Sequence, residues 1–316
     1  MPELGWSRGG DRRVSVLAYG VGLGFRAVGE RHCVGARGNV CPLGAVVPGR
    51  STGGRCAECA RLDRAHSVAA DTMADDPRAY RVYLAWFGPG MVKVGITGEE
   101  RGAARLREQG AVAFSWLGRG PLMAARRTEE VLRAALGVPD RIPYAKKRAV
   151  RGQLPGPEDR AGAVAELYAR AAALEGRGWP ESLERMPLEV VDQVGVFGLD
   201  RAPDADADAD PAPGRSVREG GTAPGRSVRE SAPAPVRAVQ ELVDGGVVAG
   251  RLVAAAGPDL HLAVADGSVV VLDTRLITGW DLTSVTRAAE VTEATGSDVR
   301  VPLIDIGGGG VQGGLF

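Results

Sequence analysis

The chain has 316 residues, 44% of them hydrophobic, and a formal net charge of zero from 39 basic and 39 acidic side chains. That is enough apolar material for at least one core and, by length, two domains or so, which excludes a wholly disordered chain. No run approaches the ~20 consecutive apolar residues of a spanning helix, and the start MPELGWSRGGDRR lacks the apolar stretch of a signal peptide, so the expectation is a cytoplasmic protein that stays out of the membrane.

The first 75 residues hold all four cysteines. Cys33 and Cys41 lie in RHCVGARGNVCP, and Cys56 and Cys59 form CAEC. In a reducing compartment such thiols bind metal more readily than they pair as disulfides, and four thiolates close a tetrahedral Zn²⁺ site with no open position. Residues 1–75 are therefore read as a four-cysteine zinc unit; His32 and His66 stand near enough in sequence to substitute but stay outside the assigned ligand set.

Residues 82–97, VYLAWFGPGMVKVGIT, put two alternating apolar runs around a tight turn. Alternation buries Val82, Leu84, Trp86, Val92, Val94 and Ile96 together and leaves Tyr83, Lys93, Gly95 and Thr97 on the other face. GEERGAARLREQGA then predicts a short helix ended by Gly110, AVAFSWLG a strand, and LMAARRTEEVLRAAL a second helix. On that helix Leu122, Ala125, Glu129, Leu132 and Leu136 share one face, which sets Glu129 inside the apolar stripe and Glu130 on its flank. A carboxylate there needs a metal or a cation such as Arg126 or Arg133.

Charge is divided along the chain: residues 1–160 carry 26 basic against 16 acidic side chains, and residues 161–316 carry 13 against 23. Arg126, Arg127, Arg133, Arg141, Lys146, Lys147, Arg148 and Arg151 crowd one short region, a density that suits a phosphate backbone and equally a solvated basic face. Lys146, Lys147 and Arg148, with Arg101, are the candidate nucleic-acid contacts. The chain uses three lysines against 36 arginines, so a lysine at position 93 is not what its general usage supplies.

Residues 156–200 read as a helical extension. Residues 201–235 carry almost no large apolar side chain and repeat APGRSVRE at 212–219 and 223–230, the composition of a disordered linker. Short β-rich runs split by GPD and ADG follow over 236–300, a small antiparallel β unit with a hairpin at Asp266-Gly267. Four glycines at 307–310 make residues 301–316 a flexible tail.

The order of strand with Tyr83, turn, strand with Lys93-Val94-Gly95, helix with Arg105, strand and helix with Glu129 resembles the GIY-YIG nuclease domain over roughly residues 79–150. The whole layout, RHC with CP and CAEC before that unit and a β-rich tail after it, resembles the bacterial domain-of-unknown-function family 2797. The implied fold is α+β: a GIY-YIG-like small mixed domain at 76–155 between an N-terminal zinc-binding β unit and a C-terminal antiparallel β domain. The implied catalytic set is Tyr83, Arg105 and Glu129, with Arg101 as the alternative arginine and Arg81-Val82-Tyr83 standing where the pattern has GIY. Glu129 is expected to hold Mg²⁺ or Mn²⁺, Arg105 to face the phosphate, and Tyr83, or a water it orients, to deliver the attack. Lys93 is expected to depress the Tyr83 pKa by its charge, and Gly95 to admit the substrate backbone. The expected activity is a metal-dependent endonuclease acting on nucleic acid, DNA before RNA; the alternative is a non-catalytic nucleic-acid-binding or adaptor protein of the same fold. The last five residues, with Gln312, Leu315 and Phe316, resemble the peptides that dock on the bacterial β sliding clamp.

Overall fold

The structure, a computed structural model, describes residues 3–8, 11–65, 76, 78–139, 141–176, 179–200, 236–285 and 299–306. The 201–235 linker, the tail residues Gln312, Leu315 and Phe316, and His66 lie outside the described residues. In chain order the elements are β1 (Glu3–Arg8), β2 (Asp11–Val16), β3 (Gly22–Val28), α1 (Ala57–Ala65), β4 (Ala79–Gly88), β5 (Met91–Gly98), a 3₁₀ turn (Glu99–Arg101), α2 (Ala104–Gln109), β6 (Ala113–Pro121), α3 (Leu122–Leu136), α4 (Tyr144–Arg151), α5 (Pro157–Ala172), β7 (Glu184–Arg185), β8 (Val191–Asp192) and α6 (Val194–Phe197). After residue 235 come β9 (Val236–Val239), β10 (Val247–Ala256), β11 (Asp259–Ala263), β12 (Val269–Asp273), α7 (Thr274–Ile277), β13 (Asp281–Ser284), β14 (Val299–Arg300) and β15 (Leu303–Asp305). Among the described residues no helix is long and apolar enough to cross a membrane.

The hairpin β4–β5 forms as its alternation dictates, with Leu84 opposite Val94 and Tyr83 opposite Gly95. β6 joins the other edge of β4, giving the order β5-β4-β6, and β7 and β8 extend it from the segment read as purely helical. Val82, Leu84, Val94 and Leu117 are buried on one face against α3 and α5. Each such side chain contributes roughly 1.5–3 kcal/mol through removal from water. The other face, with Tyr83, Ala85, Phe87 and Phe114, is closed by Leu106 of α2 and by Ile142.

On α3 the buried side chains are Leu122, Ala124, Ala125, Thr128 and Leu132, whereas Glu129 is half-buried and Glu130 exposed. The stripe therefore runs through Thr128, and Glu129 sits on its flank. The hydroxyl of Thr128 donates to the Ala124 carbonyl at 2.9 Å, which lets a polar residue enter the core; a carboxylate has no proton to give that carbonyl.

The second large sheet has the order β13-β3-β10-β11-β12-β9-β15, with β14 also on β10. β11 and β12 turn through Asp266-Gly267, where Gly267 has φ +79°. The strand β3, assigned from sequence to the four-cysteine unit, pairs with β10 and β13 instead. An edge of β10 left without a neighbour would expose a row of unpaired backbone groups, and β3 covers it.

The cysteine segment is pinned to this sheet by Arg31, which is 1% exposed. Its guanidinium donates to the carbonyls of Thr278 (2.8 Å) and Arg275 (2.9 Å) on the sheet side, and of Pro48 (2.8 Å) and Ser51 (2.6 Å) on the cysteine side.

The two large sheets meet at α4. Tyr144, Lys147, Arg148 and Arg151 recur at helical spacing and so share a face, and that face is covered. Arg148 donates to Asp259 (2.6 Å) and to Asp273, and Arg151 donates to Asp259 (2.6 Å). Lys147 is 4% exposed, with Nζ 4.0 Å from the Phe87 ring centre, 4.4 Å from that of Tyr144 and 2.8 Å from the Gln109 carbonyl. Lys147 and Arg148 are thus committed to the junction and not to a phosphate backbone; of that triplet Lys146 alone is exposed.

Two outcomes are expected. Arg31→Met leaves four carbonyls without their donor and should cost about 3 kcal/mol of stability in urea titration, with hydrogen exchange accelerating over residues 31–59; unchanged exchange there would refute the pinning role. Burial, Arg151 and Lys93 pull the Lys147 pKa down to about 7, with Arg275 acting in the same direction and Asp259 against it. Between that value and the unfolded lysine value the unfolded chain binds a proton that the folded chain lacks, so stability rises with pH. From about pH 7 to 9 the wild type should gain up to ~1.4 kcal/mol per unit relative to Lys147→Met; parallel stability curves would contradict the assignment.

Candidate functional site

Tyr83 occupies the middle of β4, between Gly95 on β5 and Trp116 on β6, and is 2% exposed. Its ring crosses Gly95 so closely that a Cβ there would stand 2.2 Å from the phenol oxygen. Gly95 therefore makes room for Tyr83 itself, not for a substrate backbone as expected. Trp116 meets the Tyr83 ring edge-on at 6.5 Å and that of Phe114 at 5.3 Å, and Arg81 lies over Trp116 at 5.2 Å.

The phenol oxygen accepts a hydrogen bond from Gln109 Nε2 at 2.8 Å. The amide oxygen of Gln109 in turn accepts from Lys93 Nζ at 3.3 Å. Burial pushes the Tyr83 pKa up; the Gln109 hydrogen bond and the positive charge of Arg105 oppose this, and the charge of Glu129 adds to it. Lys93 was expected to depress that pKa directly. Its ammonium reaches Gln109 instead, and burial decides the direction of the shift.

Arg105 on α2 and Glu129 on α3 both act electrostatically on Tyr83. Arg105 is 45% exposed and shares Glu108 with Arg101, at 3.4 Å and 2.6 Å. Arg81 and Arg119, paired across β4 and β6, share Glu99, each at 2.8 Å. The face thus offers arginines already balanced by carboxylates, several of them solvent-exposed. Such pairs contribute little to stability and are cheap to exchange for another anion.

Gln109 was missed in the sequence. The available signal is its position three residues after Leu106: the two are the buried residues of an otherwise charged helix that ends at left-handed Gly110 (φ 69°). An uncharged polar side chain on the covered side of such a helix has to find partners there.

The second cluster is formed by the cysteines. A turn through Arg37 and Gly38, both at positive φ, joins Ala36 to Asn39 and brings Cys41 back toward Cys33. Cys56 and Cys59 sit at the entry of α1. Gly35 is required there, because a Cβ would stand 1.8 Å from the Asn39 carbonyl oxygen. All four Sγ atoms lie within 4.8 Å of one another, Cys41 and Cys56 at 3.9 Å. Sulfurs around a tetrahedral ion at ~2.3 Å are separated by about 3.8 Å, so the donor set and its spacing suit a metal such as zinc. Backbone N–H groups, that of Ala45 foremost, pull the Cys41 pKa down to about 6, while burial and the neighbouring sulfurs push Cys59 up to about 12. His32 stays outside the cluster, with Nδ1 3.2 Å from the Gly44 carbonyl.

No curated protein and no solved structure matches the chain. Residues 20–219, which hold the cysteine cluster, the Tyr83 face and α3 to α6, match the family described as "Protein of unknown function (DUF2797)". The match covers more than half of the sequence, and the chain belongs to the DUF2797 family.

Proposed function

We propose that the chain is a GIY-YIG-type, metal-dependent phosphodiesterase acting on nucleic acid, DNA before RNA, in which a zinc-bound cysteine unit is a rigid structural module. The observation that carries the reading is the buried Tyr83 hydroxyl, held by Gln109 of α2 at 2.8 Å, on which the charges of Arg105 and Glu129 both act. The strand order β5-β4-β6, with a helix before and after the third strand, is consistent with the resemblance seen in the sequence.

In this reading Glu129 is the carboxylate that would hold Mg²⁺ or Mn²⁺, an ion that when bound supplies Lewis acidity to the phosphate. Arg105 exchanges Glu108 for a phosphate oxygen and stabilises the charge that grows there. Tyr83, as phenolate, takes a proton from water; the water oxygen bonds to phosphorus as the bond to the departing sugar oxygen breaks. Because burial raises the phenol pKa, the reactive form is scarce near neutrality and grows with pH.

The second reading, a nucleic-acid-binding or adaptor protein without catalysis, is favoured by the 2% exposure of Tyr83.

With Mg²⁺ or Mn²⁺ and branched, single-stranded or double-stranded DNA, cleavage should rise with pH through the alkaline range. It should be lost by a factor of ~10² or more in Tyr83→Phe and Glu129→Ala, with affinity retained, while Arg105→Ala weakens both. Binding without any metal-dependent cleavage would instead establish the second reading. For the cysteines, elemental analysis of reduced protein should return one zinc per chain, and Cys56→Ser should release it and loosen residues 31–59. A folded, zinc-free wild type would remove the metal from the account.

A further inference from the structure

Gln109 links two cations to one phenol, and the chemistry of its amide fixes the direction of that link. An amide has an accepting end and a donating end, and an ammonium can only donate. Lys93 Nζ, 3.3 Å away, therefore requires the Gln109 oxygen to face β5, which turns Nε2 toward the Tyr83 oxygen at 2.8 Å. The main-chain carbonyl of the same residue accepts from Lys147 at 2.8 Å. Gln109 is 7% exposed, and both ends of its buried amide are satisfied.

We infer that Gln109 is a positioning residue for Tyr83, and that Lys93 acts on the phenol at one remove, by polarising the Gln109 amide. A donor aimed at the phenol oxygen strengthens as that oxygen becomes negative, so the bond favours the phenolate over the phenol. It also occupies a lone pair of that oxygen and not its proton. A chain of hydrogen bonds that begins at an ammonium is polarised along its length, so the Lys93 charge reaches Tyr83 through the amide. Among the described residues, the other charges that act on this phenol are Arg105 of α2, which also favours the phenolate, and Glu129 of α3, which opposes it. Lys147 from α4 holds the Gln109 main chain. This inference rests on the reading of Tyr83 as the proton acceptor; its test does not depend on cleavage.

The test replaces tyrosine with 3-fluorotyrosine, whose phenol titrates lower than that of tyrosine, and follows the Tyr83 signal by fluorine NMR, assigned by its absence in Tyr83→Phe. Gln109→Met should move the Tyr83 midpoint up. Gln109→Glu keeps the size and packing but removes the donor, and should move it up further. Lys93→Met should move it up less than either and should add nothing in the Gln109→Met background. An unchanged midpoint in Gln109→Glu would overturn the positioning role. An equal Lys93→Met shift with and without Gln109 would show that the ammonium acts through space, and would overturn the relay. The titration contains no nucleic acid, so a chain that never cleaves can still pass it, and a chain that cleaves can fail it.

Discussion

Asp259 is fully buried and receives two arginines from α4, and Asp273, nearly as buried, receives Arg148 from α4 and Arg275 from its own neighbourhood. The end of α2, α4 and α7 are located by that junction. Removing these charges from water is expensive, and the repayment is incomplete: Arg151 Nε and Nη2, Arg148 Nε and His261 Nε2 have no hydrogen-bond partner among the described residues. An apolar contact of the same size would hold the sheets together at lower cost, but it could slide. Two guanidinium groups on two carboxylates define one register, and α4 then carries that register inward. Its Tyr144 hydroxyl donates to the Glu108 carbonyl at 3.2 Å and its Lys147 donates to that of Gln109, so the end of α2 is located by the same helix. At Gly110, which caps α2, the β10–β11 turn comes so close that an added Cβ would stand 3.2 Å from the Gly257 nitrogen. The position of Gln109 under Tyr83 is therefore set in part by a sheet whose strands β10 to β12 come after residue 235 in the chain.

That sheet supports the cysteine unit as well. Arg31 bonds to Arg275 and Thr278, the segment around α7, and Arg275 is the arginine that caps Asp273. The family match ends at residue 219, whereas β10 and β13, the partners of β3, lie beyond it. A strand inside the matched segment thus completes its hydrogen bonds with strands outside it. The division of charge along the chain has a counterpart here: cations from the basic front half meet aspartates of the acidic back half inside the protein, where the dielectric makes them count.

How far the fold could be read depended on whether the deciding contacts were local. The β4–β5 hairpin was legible because period-two alternation is a property of neighbours in sequence, and the turns at Gly110 and Asp266-Gly267 because a left-handed residue announces itself. The cysteine cluster was legible from composition alone. Thr128 and Glu129 were exchanged because both fall near the same helix face, and only the hydrogen bond of Thr128 to the preceding turn decides which is buried. α4 was misread for a deeper reason. A face of Tyr, Lys, Arg and Arg has the pattern of a solvated surface, and nothing within 100 residues of it says that two aspartates will cover it.

The scarcity of lysine acquires a physical sense at this point. Two of the three lysines, Lys93 and Lys147, end on the same residue, one on the side-chain oxygen and one on the main-chain oxygen of Gln109. Lys147 does so between the rings of Phe87 and Tyr144, a space bounded by two π faces and one carbonyl. A spherical ammonium can address three partners in three directions from there, whereas a planar guanidinium needs its acceptors in its own plane. An arginine at position 147 would have to turn away from the Gln109 carbonyl or push α4 off the sheet that Arg148 and Arg151 hold. In a chain that otherwise uses arginine for its cations, position 147 takes a lysine where the geometry is three-dimensional and where a charge can be given up as well as held.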